Sequence, residues 1–224
     1  MRLFLTGGNG EIGASIKQRF VNAGHEVVAP RSTELDLSNL NGITEFLKGT
    51  ADSFDGFIHC AGINNPKWFE TISPQEIERV FTINTLSFVR ISQLISEGLR
   101  KRKGGHILAV SSIYGSLSRE KRLPYSMSKH ALNGAVKTLA LELGPHGIFV
   151  NTVSPGFIDT ELTRRNNDSA TIEGFAKRTA LRRLGAPSDI AEVCYFLCSD
   201  ANRYITGQDI VADGGYSIGG FQNG

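Results

Sequence analysis

TGGNGEIG, residues Thr6 to Gly13, follows the short apolar run Leu3 to Leu5 at the start of the chain. A strand, a tight glycine turn and a helix in this order place backbone N–H groups and the positive end of a helix dipole where a pyrophosphate can sit. In that arrangement Gly7 makes the turn, Gly10 lets the backbone approach the phosphates, and Gly13 lets the helix pack closely on the strand. An isolated glycine triplet also occurs in ordinary strand-to-helix turns, so the rest of the chain has to decide its function.

Apolar runs of strand length alternate with segments whose apolar residues recur at helical spacing. The runs of strand length are Leu3 to Leu5, Glu26 to Ala29, Gly56 to Cys60, His106 to Val110, Ile148 to Val153 and Asp209 to Val211. This alternation predicts an α/β fold, a doubly wound and mostly parallel sheet of the Rossmann type. After the second run only a few residues precede Leu35 to Leu37, so one crossover helix is expected to be missing or reduced to a loop.

Length and composition indicate a single domain over residues 1–224, with a glycine-rich tail at about 217–224. The 24 Lys and Arg against 22 Asp and Glu do not describe a nucleic-acid-binding protein. Three cysteines are too few for a disulfide framework, and neither a signal-peptide pattern nor a run of membrane-spanning length is seen. We therefore expect a cytoplasmic protein with neither nucleic acid nor membrane as partner.

The residues after the second run bear on the choice of dinucleotide. Pro30-Arg31-Ser32 has no acidic residue where an NAD enzyme usually binds the ribose 2′-hydroxyl. Arg31 and Ser32 are suited to a 2′-phosphate instead, which predicts NADP and leaves NAD as the alternative. For Arg31 the other interpretation is an ordinary solvated surface arginine.

A candidate chemical centre lies in YSMSK, Tyr125 to Lys129, where Tyr125 and Lys129 share one helix face. An ammonium about 4 Å away would contribute about 4 kcal/mol at a dielectric near 20, or about three pKa units. That would bring the pKa of Tyr125 close to 7, where general acid–base catalysis is most efficient. Ser112, at the end of the run His106 to Val110, could hold a substrate carbonyl oxygen against the tyrosine, and Ser111 is the weaker candidate. If Tyr125 and Lys129 are considered without Ser112, the competing interpretation is that the tyrosine is packed in the core and the lysine is solvated.

Six motifs in order resemble those of the short-chain dehydrogenase/reductase family, from Arg2 to about Tyr216. They are TGGNGEIG, CAG at Cys60 to Gly62, Asn84 in FTINT, SSIYG with YSMSK, SPGFIDT at Ser154 to Thr160, and TGQDIVADGG at Thr206 to Gly215. The resemblance implies an oxidoreductase that interconverts a ketone and a secondary alcohol by hydride transfer with a nicotinamide cofactor. Its partner would be a small carbonyl or alcohol substrate.

The resemblance also implies residue roles. Tyr125 would be the acid/base, and Lys129 would lower its pKa and hold the nicotinamide ribose. Ser112 would orient the carbonyl, and Asn84 would support a proton-relay water. Asp36 and Leu37 would flank the adenine, and Ala61 and Gly62 the adenosine ribose. The full set of predicted cofactor contacts is Gly7, Asn9, Gly10, Glu11, Ile12, Gly13, Arg31, Ser32, Asp36, Leu37, Ala61, Gly62, Tyr125, Lys129, Pro155, Gly156, Ile158 and Thr160.

Two features depart from the family pattern. TGGNGEIG fits TGxxGxxG, the spacing of the longer nucleotide-sugar branch, where single-domain members usually have TGxxxGxG. In that spacing Glu11 occupies a variable position and can point outward while Gly10 faces the phosphates. HCAG stands where NNAG is usual, so His59 and Cys60 replace asparagines that brace the backbone of that strand.

Other functions are weighed against the carbonyl reductase hypothesis. A nucleotide-sugar epimerase or dehydratase needs a substrate domain, and a non-catalytic NADP-binding sensor should have lost part of the tetrad Asn84, Ser112, Tyr125 and Lys129. The five histidines lack ligand spacing, so no metal site is predicted. Basic residues at Arg100 to Lys103, Arg119, Lys121, Arg122, Arg164 and Arg165 form a pattern similar to that of 3-oxoacyl-carrier-protein reductases, whose substrates are bound to an acidic carrier protein. Solvated surface charge explains them as well.

Two helices carry more apolar and small residues than one stripe requires. One runs from about Gln75 to Leu99, and the other continues from Lys129 through Leu143. Two such helices from each of two subunits would form a two-fold, four-helix interface, as the resemblance also implies. The sequence therefore predicts a homodimer or homotetramer.

Overall fold

All six strands of the computed structural model, which describes residues 1–219, pair in parallel in one sheet. Their order is β2-β1-β3-β4-β5-β6. The strands are β1 (Arg2–Thr6), β2 (Glu26–Val28), β3 (Gly56–His59), β4 (Gly105–Val110), β5 (Ile148–Pro155) and β6 (Asp209–Ala212). The predicted α/β fold of Rossmann type is confirmed, and each predicted strand is found within two residues at either end. Of the glycine-rich tail predicted at about 217–224, the part from Gly220 onward lies outside the described residues.

Eight helices connect the described strands. They are α1 (Glu11–Asn22), α2 (Leu40–Leu47), α3 (Pro74–Phe81), α4 (Ser87–Arg102), α5 (Leu123–Leu143), α6 (Glu161–Asn166), α7 (Ser169–Lys177) and α8 (Pro187–Leu197). A π-helical turn over Thr82–Leu86 joins α3 to α4, so the helix predicted over about Gln75 to Leu99 is one helical stretch with an interruption. That interruption carries Asn84.

The sheet separates two apolar layers, because successive side chains of a strand point to opposite faces. Phe4 and Phe57 belong to the layer covered by α2, α4 and α5. Leu5 and Ile58, the next residues along the same strands, belong to the layer covered by α1 and α8. Cys194 of α8 and Cys198, its C-cap, are buried free thiols in the second layer, which confirms the prediction that they are core residues.

The passage after β2 is the irregular part of the fold. Residues 29–39 form turns without a helix, and Leu35 to Leu37 is not a strand. The predicted loss of a crossover helix before Leu35 is therefore confirmed, and the chain reaches β3 through the eight-residue α2. Asn39 caps α2 by accepting a hydrogen bond from the backbone N–H of Gly42 at 2.9 Å.

Candidate active site

A cleft of about 470 Å³ opens where the carboxyl ends of the parallel strands meet, the edge at which doubly wound sheets bind ligands. It lies among the segments that follow β1, β3, β4 and β5. The predicted site residues that line it are Gly7, Asn9, Gly10, Glu11, Ile12, Gly13, Gly62, Ser112, Tyr125, Lys129, Pro155, Gly156, Ile158 and Thr160. Segments far apart in sequence thus converge on one space.

The three spaced glycines have three different steric environments. Gly7 has φ of +74°, and a Cβ on it would lie 2.6 Å from the backbone nitrogen of Ala61. A Cβ on Gly13 would lie 2.1 Å from the carbonyl oxygen of Gly7, so α1 packs against the turn more closely than a side chain permits. Gly10, the N-cap of α1, is exposed, and the nearest atom to its added Cβ is at 3.6 Å. The loop therefore fits a dinucleotide pyrophosphate: a tight turn, a close helix, and an open helix N-terminus between them.

Glu11 directs its carboxylate away from the N-terminus of its own helix, α1, and towards α6. Oε2 accepts a hydrogen bond from the backbone N–H of Glu161 at 2.5 Å, and Oε1 pairs with Nη2 of Arg164 at 3.2 Å. Glu11 thus ties the glycine loop to α6 and leaves the backbone at Gly10 open.

Ser112 and Tyr125 meet at the inner part of the cleft. Ser112 lies just beyond β4, and its Oγ accepts a hydrogen bond from the backbone N–H of Tyr114 at 3.2 Å. Burial raises the pKa of Tyr125, while the hydrogen bond with Ser112 and the charge of Arg122 oppose that rise. The phenol therefore keeps its proton at neutral pH.

Lys129 lies on the predicted helix face, one turn after Tyr125, and the lowering of the Tyr125 pKa by its ammonium stays a prediction. Its Nζ lies 5.7 Å from the centre of the Tyr125 ring and donates a hydrogen bond to the carbonyl oxygen of Val110 at 2.8 Å. The ammonium is thus directed at this backbone carbonyl, and desolvation of the phenol is the largest influence on the Tyr125 pKa. Burial also lowers the pKa of Lys129 itself, to about 8.

Asn84 lies behind these groups, fully buried in the π-helical turn. Its Oδ1 accepts from the backbone N–H of Ile63 at 2.8 Å, and its Nδ2 donates to the Ile63 carbonyl at 3.0 Å and to Ser128 Oγ at 3.0 Å. A Cβ on Gly62 would lie 3.5 Å from Asn84 Oδ1 and 3.6 Å from Lys129 Nζ. Asn84 therefore braces the segment after β3 beside the lysine.

His59 takes over part of the bracing that the replaced asparagines would supply. Its Nδ1 hydrogen-bonds with Thr6 Oγ1 at 2.9 Å, and Thr6 Oγ1 also accepts from the backbone N–H of Ala61 at 3.4 Å. The end of β3 is thus tied to the end of β1 through side chains rather than through an asparagine pair.

The segment Pro155 to Thr160 forms the far wall of the cleft. Ile158 forms a parallel bridge with Gly185, and the Asp159 N–H donates to the Gly185 carbonyl at 2.8 Å. Thr160 caps α6 by accepting from the Thr163 N–H at 3.3 Å. A nicotinamide placed here would meet a wall whose backbone is already hydrogen-bonded.

Some predicted residues lie outside the main cleft. Arg31 lines a second cleft with Lys17 and Asn9, and Asn9 lines both clefts, so the two adjoin. Ser32 is exposed and lines neither, and Asp36 accepts hydrogen bonds from Ser38. Leu37 packs against the core, while Ala61 and Asn84 stand behind the lining.

Several lining residues were not predicted as site residues. Phe157 and Phe175 stack with ring centres 3.9 Å apart and form an aromatic wall. Tyr114, Arg119 and Arg122 come from the loop before α5. Tyr114 belongs to the SSIYG motif, and the sequence signal for the two arginines was the basic character of SREKR, which by itself does not distinguish a cleft from a solvated loop.

The predicted basic cluster divides into separate groups. Arg100 to Lys103 ends α4 at the opposite edge of the sheet, where Lys101 pairs with Asp52 at 2.8 Å. Arg164 pairs with Asp159 and Glu11. Arg119, Arg122 and Arg165 are the members that line the cleft.

Comparison with known proteins identifies the class. A family model described as enoyl-(acyl carrier protein) reductase matches residues 18–217. The chain therefore belongs to the short-chain dehydrogenase/reductase family and is an oxidoreductase of the CH–OH/C=O type.

Particular relatives cover nearly the whole chain. It is 29% identical over 232 residues to the 3-oxoacyl-acyl-carrier-protein reductase FabG of Vibrio cholerae, covering 94% of this chain and 95% of that one. It is 36% identical over 184 residues to the FabG of Buchnera aphidicola, covering 81% and 75%.

Solved structures show the same fold. A 4-hydroxyisoleucine dehydrogenase complexed with NADH has a TM-score of 0.89 at 29% identity, with 97% and 99% of the two chains covered. The protein ElxO with NADP bound has a TM-score of 0.89 at 23% identity, which shows the fold alone, with 97% and 98% covered. Proteins of this fold thus include one with NADH bound and one with NADP bound.

Residues 1–219 contain neither a membrane-spanning helix nor a metal-ligand cluster. None of the helices within residues 1–219 combines the length and apolarity needed to cross a bilayer. The same part of the chain contains no group of three or more His, Cys, Asp or Glu arranged to hold a metal ion.

Proposed function

We propose that this protein interconverts a ketone and a secondary alcohol with a nicotinamide cofactor, with Tyr125 as general acid/base. The observation that carries the proposal is the convergence of Ser112, Tyr125 and Lys129 with the glycine loop in one cleft. The glycine loop would hold the pyrophosphate, Lys129 the nicotinamide ribose, and Pro155 to Thr160 the nicotinamide. The bound nicotinamide supplies or accepts the hydride.

The protein residues handle the proton and the carbonyl oxygen. Ser112 and Tyr125 together hydrogen-bond the substrate oxygen and fix its position. Because burial raises the pKa of Tyr125, the phenol is protonated at neutral pH and is ready to donate to the oxygen of a carbonyl being reduced. Oxidation of the alcohol would use the phenolate form of Tyr125 as the general base.

NADP is the cofactor we favour. Arg31 and Lys17 line the second cleft, which adjoins the main one at Asn9, so two cations stand where a 2′-phosphate could extend from a bound adenosine. NAD is the alternative.

The substrate has two candidate classes, a free small ketone and a 3-oxoacyl group bound to a carrier protein. The second is supported by the identity to FabG proteins and by the arginines in the cleft lining. The epimerase hypothesis has less support, because a dinucleotide accounts for both adjoining clefts and a nucleotide sugar needs further space. The sensor hypothesis has less support, because the tetrad is complete. We further propose a homo-oligomer located in the cytoplasm.

The decisive experiment is Tyr125→Phe, assayed with NADPH and NADH against a panel of ketones. Removing the transferable proton should lower kcat by about 10²- to 10⁴-fold and leave NADPH affinity nearly unchanged. Tyr204→Phe is the matched control, because Tyr204 is 97% exposed and lines neither cleft. Wild-type turnover by Tyr125→Phe would refute the assignment.

A further inference from the structure

Three arginines line the main cleft without an acidic partner. Within residues 1–219, no carboxylate lies within 4.0 Å of a guanidinium nitrogen of Arg119, Arg122 or Arg165. By contrast, the neighbouring Arg164 pairs with both Asp159 and Glu11. An excess of positive charge therefore faces the space in front of Tyr125.

Arg122 is the most constrained of the three. Its Nη1 donates to Asn64 Oδ1 at 3.2 Å, while its Nε is buried without a hydrogen-bond partner among the described residues. Burial lowers the pKa of this guanidinium, which still stays charged at neutral pH. A partly buried guanidinium with one neutral partner keeps an uncompensated charge beside the cleft, which an anion bound there would stabilise.

The position of Arg122 is also unfavourable for a cation. Arg122 is the N-cap of α5 and makes no capping hydrogen bond, and the positive end of a helix dipole repels a cation there. Neither helix stability nor an ion pair therefore explains an arginine at this place. An anion bound in the cleft would compensate both the dipole and the guanidinium.

The backbone before Arg122 is held in a strained shape that fixes this position. Lys121 has φ of +63°, in the left-handed region that side chains other than glycine rarely adopt. Its carbonyl accepts a hydrogen bond from the Lys67 N–H at 3.1 Å, and its ammonium lies 4.6 Å from the Trp68 ring centre. The loops after β3 and β4 thus clamp each other just before Arg122.

The other charged groups facing this space do not neutralise it. Arg119 hydrogen-bonds with Tyr114 and lies 5.4 Å from the Phe175 ring centre. Lys129 adds a further cation, whereas Glu161 and Glu11 line the opposite wall, where Glu11 is paired with Arg164.

We propose that Arg122, oriented by Asn64, binds a carboxylate of the substrate, so that the substrate is an oxo acid or the corresponding hydroxy acid. This inference rests on the proposed function and names the substrate class. The planar guanidinium fork suits a bidentate carboxylate. Arg122, the N-cap of α5, precedes Tyr125 by three residues, lines the same cleft and acts on the Tyr125 phenol through its charge, so one short substrate can contact both.

Matched acid and neutral substrates test the proposal. Pyruvate, acetoacetate and 4-oxopentanoate are compared with their methyl esters, and acetoacetate also with its N-acetylcysteamine thioester. The best acid should exceed its ester in kcat/KM by about 10- to 100-fold, the range expected for hydrogen bonds to a charged group. Dihydroxyacetone phosphate tests a phosphate in the same place, and a preference for it over every oxo acid would overturn the carboxylate assignment.

Three variants test whether Arg122 is the residue that binds the substrate carboxylate: Arg122→Gln, Arg122→Lys and the control Arg203→Gln. Arg122→Gln should raise KM for the acid by about 10- to 100-fold and leave the ester within about threefold, while Arg122→Lys should retain part of the preference. Arg203 is exposed and lines neither cleft, so its variant should behave as wild type. Equal turnover of acid and ester by wild type, or equal loss of both in Arg122→Gln, would overturn the inference.

A binding measurement separates this inference from the proposed function. Malonate, succinate and glutarate are titrated calorimetrically into the protein with NADP⁺ present, and at least one should bind to wild type and lose about 10-fold or more in affinity with Arg122→Gln. If no carbonyl is reduced but this difference is found, the proposed function fails and the carboxylate site stands. If carbonyls are reduced and no dicarboxylate binding depends on Arg122, the carboxylate site fails alone.

Discussion

His59 shows, at the scale of one residue, how burial decides protonation. Its ring is fully buried at the end of β3, and burial together with the nearby Lys129 charge lowers its pKa from 6.5 to about 3. The neutral ring shares one hydrogen bond, with Thr6. A second cation beside Lys129 is thereby avoided.

This pKa shift predicts a pH-dependent stability. Below pH 6.5 the unfolded chain takes up a proton at His59 while the folded chain does not, so stability is complete above pH 6.5 and is lost as the pH falls towards about 3. Between pH 7.5 and 5 the wild type should lose about 2 kcal/mol more than His59→Asn, measured by urea unfolding. The exposed His146 provides the control, since His146→Asn should keep the wild-type slope. An unchanged slope in His59→Asn would contradict the neutral buried ring.

Arg31 carries the cofactor prediction. Its backbone N–H donates to Glu34 Oε2 at 2.7 Å, so the nearby carboxylate is already engaged, and Arg31 lines the second cleft. Arg31→Asp should reverse a preference for NADPH over NADH by removing the phosphate partner and adding a hydroxyl acceptor. The ratio of kcat/KM for the two cofactors measures this, with the exposed Arg203→Gln as control. A wild type that already prefers NADH would show that Arg31 has no such role.

Sequence reasoning located the residues of the centre better than their electrostatics. Tyr125 and Lys129 follow from a fixed spacing on a helix, which any helix reproduces. The pKa of Tyr125 depends instead on burial and on neighbours from outside α5, foremost Ser112, and the Lys129 ammonium is held by Val110 of β4. The orphan nitrogen of Arg122 likewise depends on Asn64, a loop residue distant in sequence.

At the scale of elements, strands were easier to predict than the breaks between helices. A buried parallel strand is a continuous apolar run, so β1 and β4 could be predicted within one residue at each end. The π-helical turn at Thr82–Leu86 leaves no such signal, because its residues continue a helical pattern. It places Asn84 through contacts with Ile63 and Ser128 that lie outside the local sequence.

Glu11 links the glycine loop to α6, and the effect of this link on the stability of α6 can be measured. Glu11 holds both the first N–H of α6 and Arg164. In Glu11→Ala both contacts are lost, and since exposed pairs of this kind contribute about 0.2–1 kcal/mol, amide exchange within Glu161–Asn166 should quicken by up to about fivefold. Glu45→Ala is the control, because Glu45 pairs with Lys48 on α2, in a different element. Unchanged exchange in α6 would show that Glu11 does not restrain it.

At the scale of the whole molecule, exposed apolar and small residues on α5 offer a surface for contact between subunits. Its buried residues cover the sheet, yet another face at helical spacing exposes Met127, Gly134 and Leu141, the last 79% exposed. A Cβ on Gly134 would meet nothing within 4 Å, so a neighbouring helix has room to approach. On the adjacent helical stretch Leu86 is also 40% exposed.

These exposed residues give the oligomer prediction a specific test. If α4 and α5 of two subunits form a four-helix interface, Leu141→Glu places a carboxylate in an apolar contact and should shift the protein towards a species of about 24 kDa in sedimentation at micromolar concentration. Turnover should fall with dissociation, because α5 also carries Tyr125 and Lys129. Val21→Glu, a change of the same kind at an exposed position of α1, should leave the sedimentation profile unaltered. A wild type that is stable and active at about 24 kDa would refute the interface, whereas a larger species unaffected by Leu141→Glu would place it on another surface.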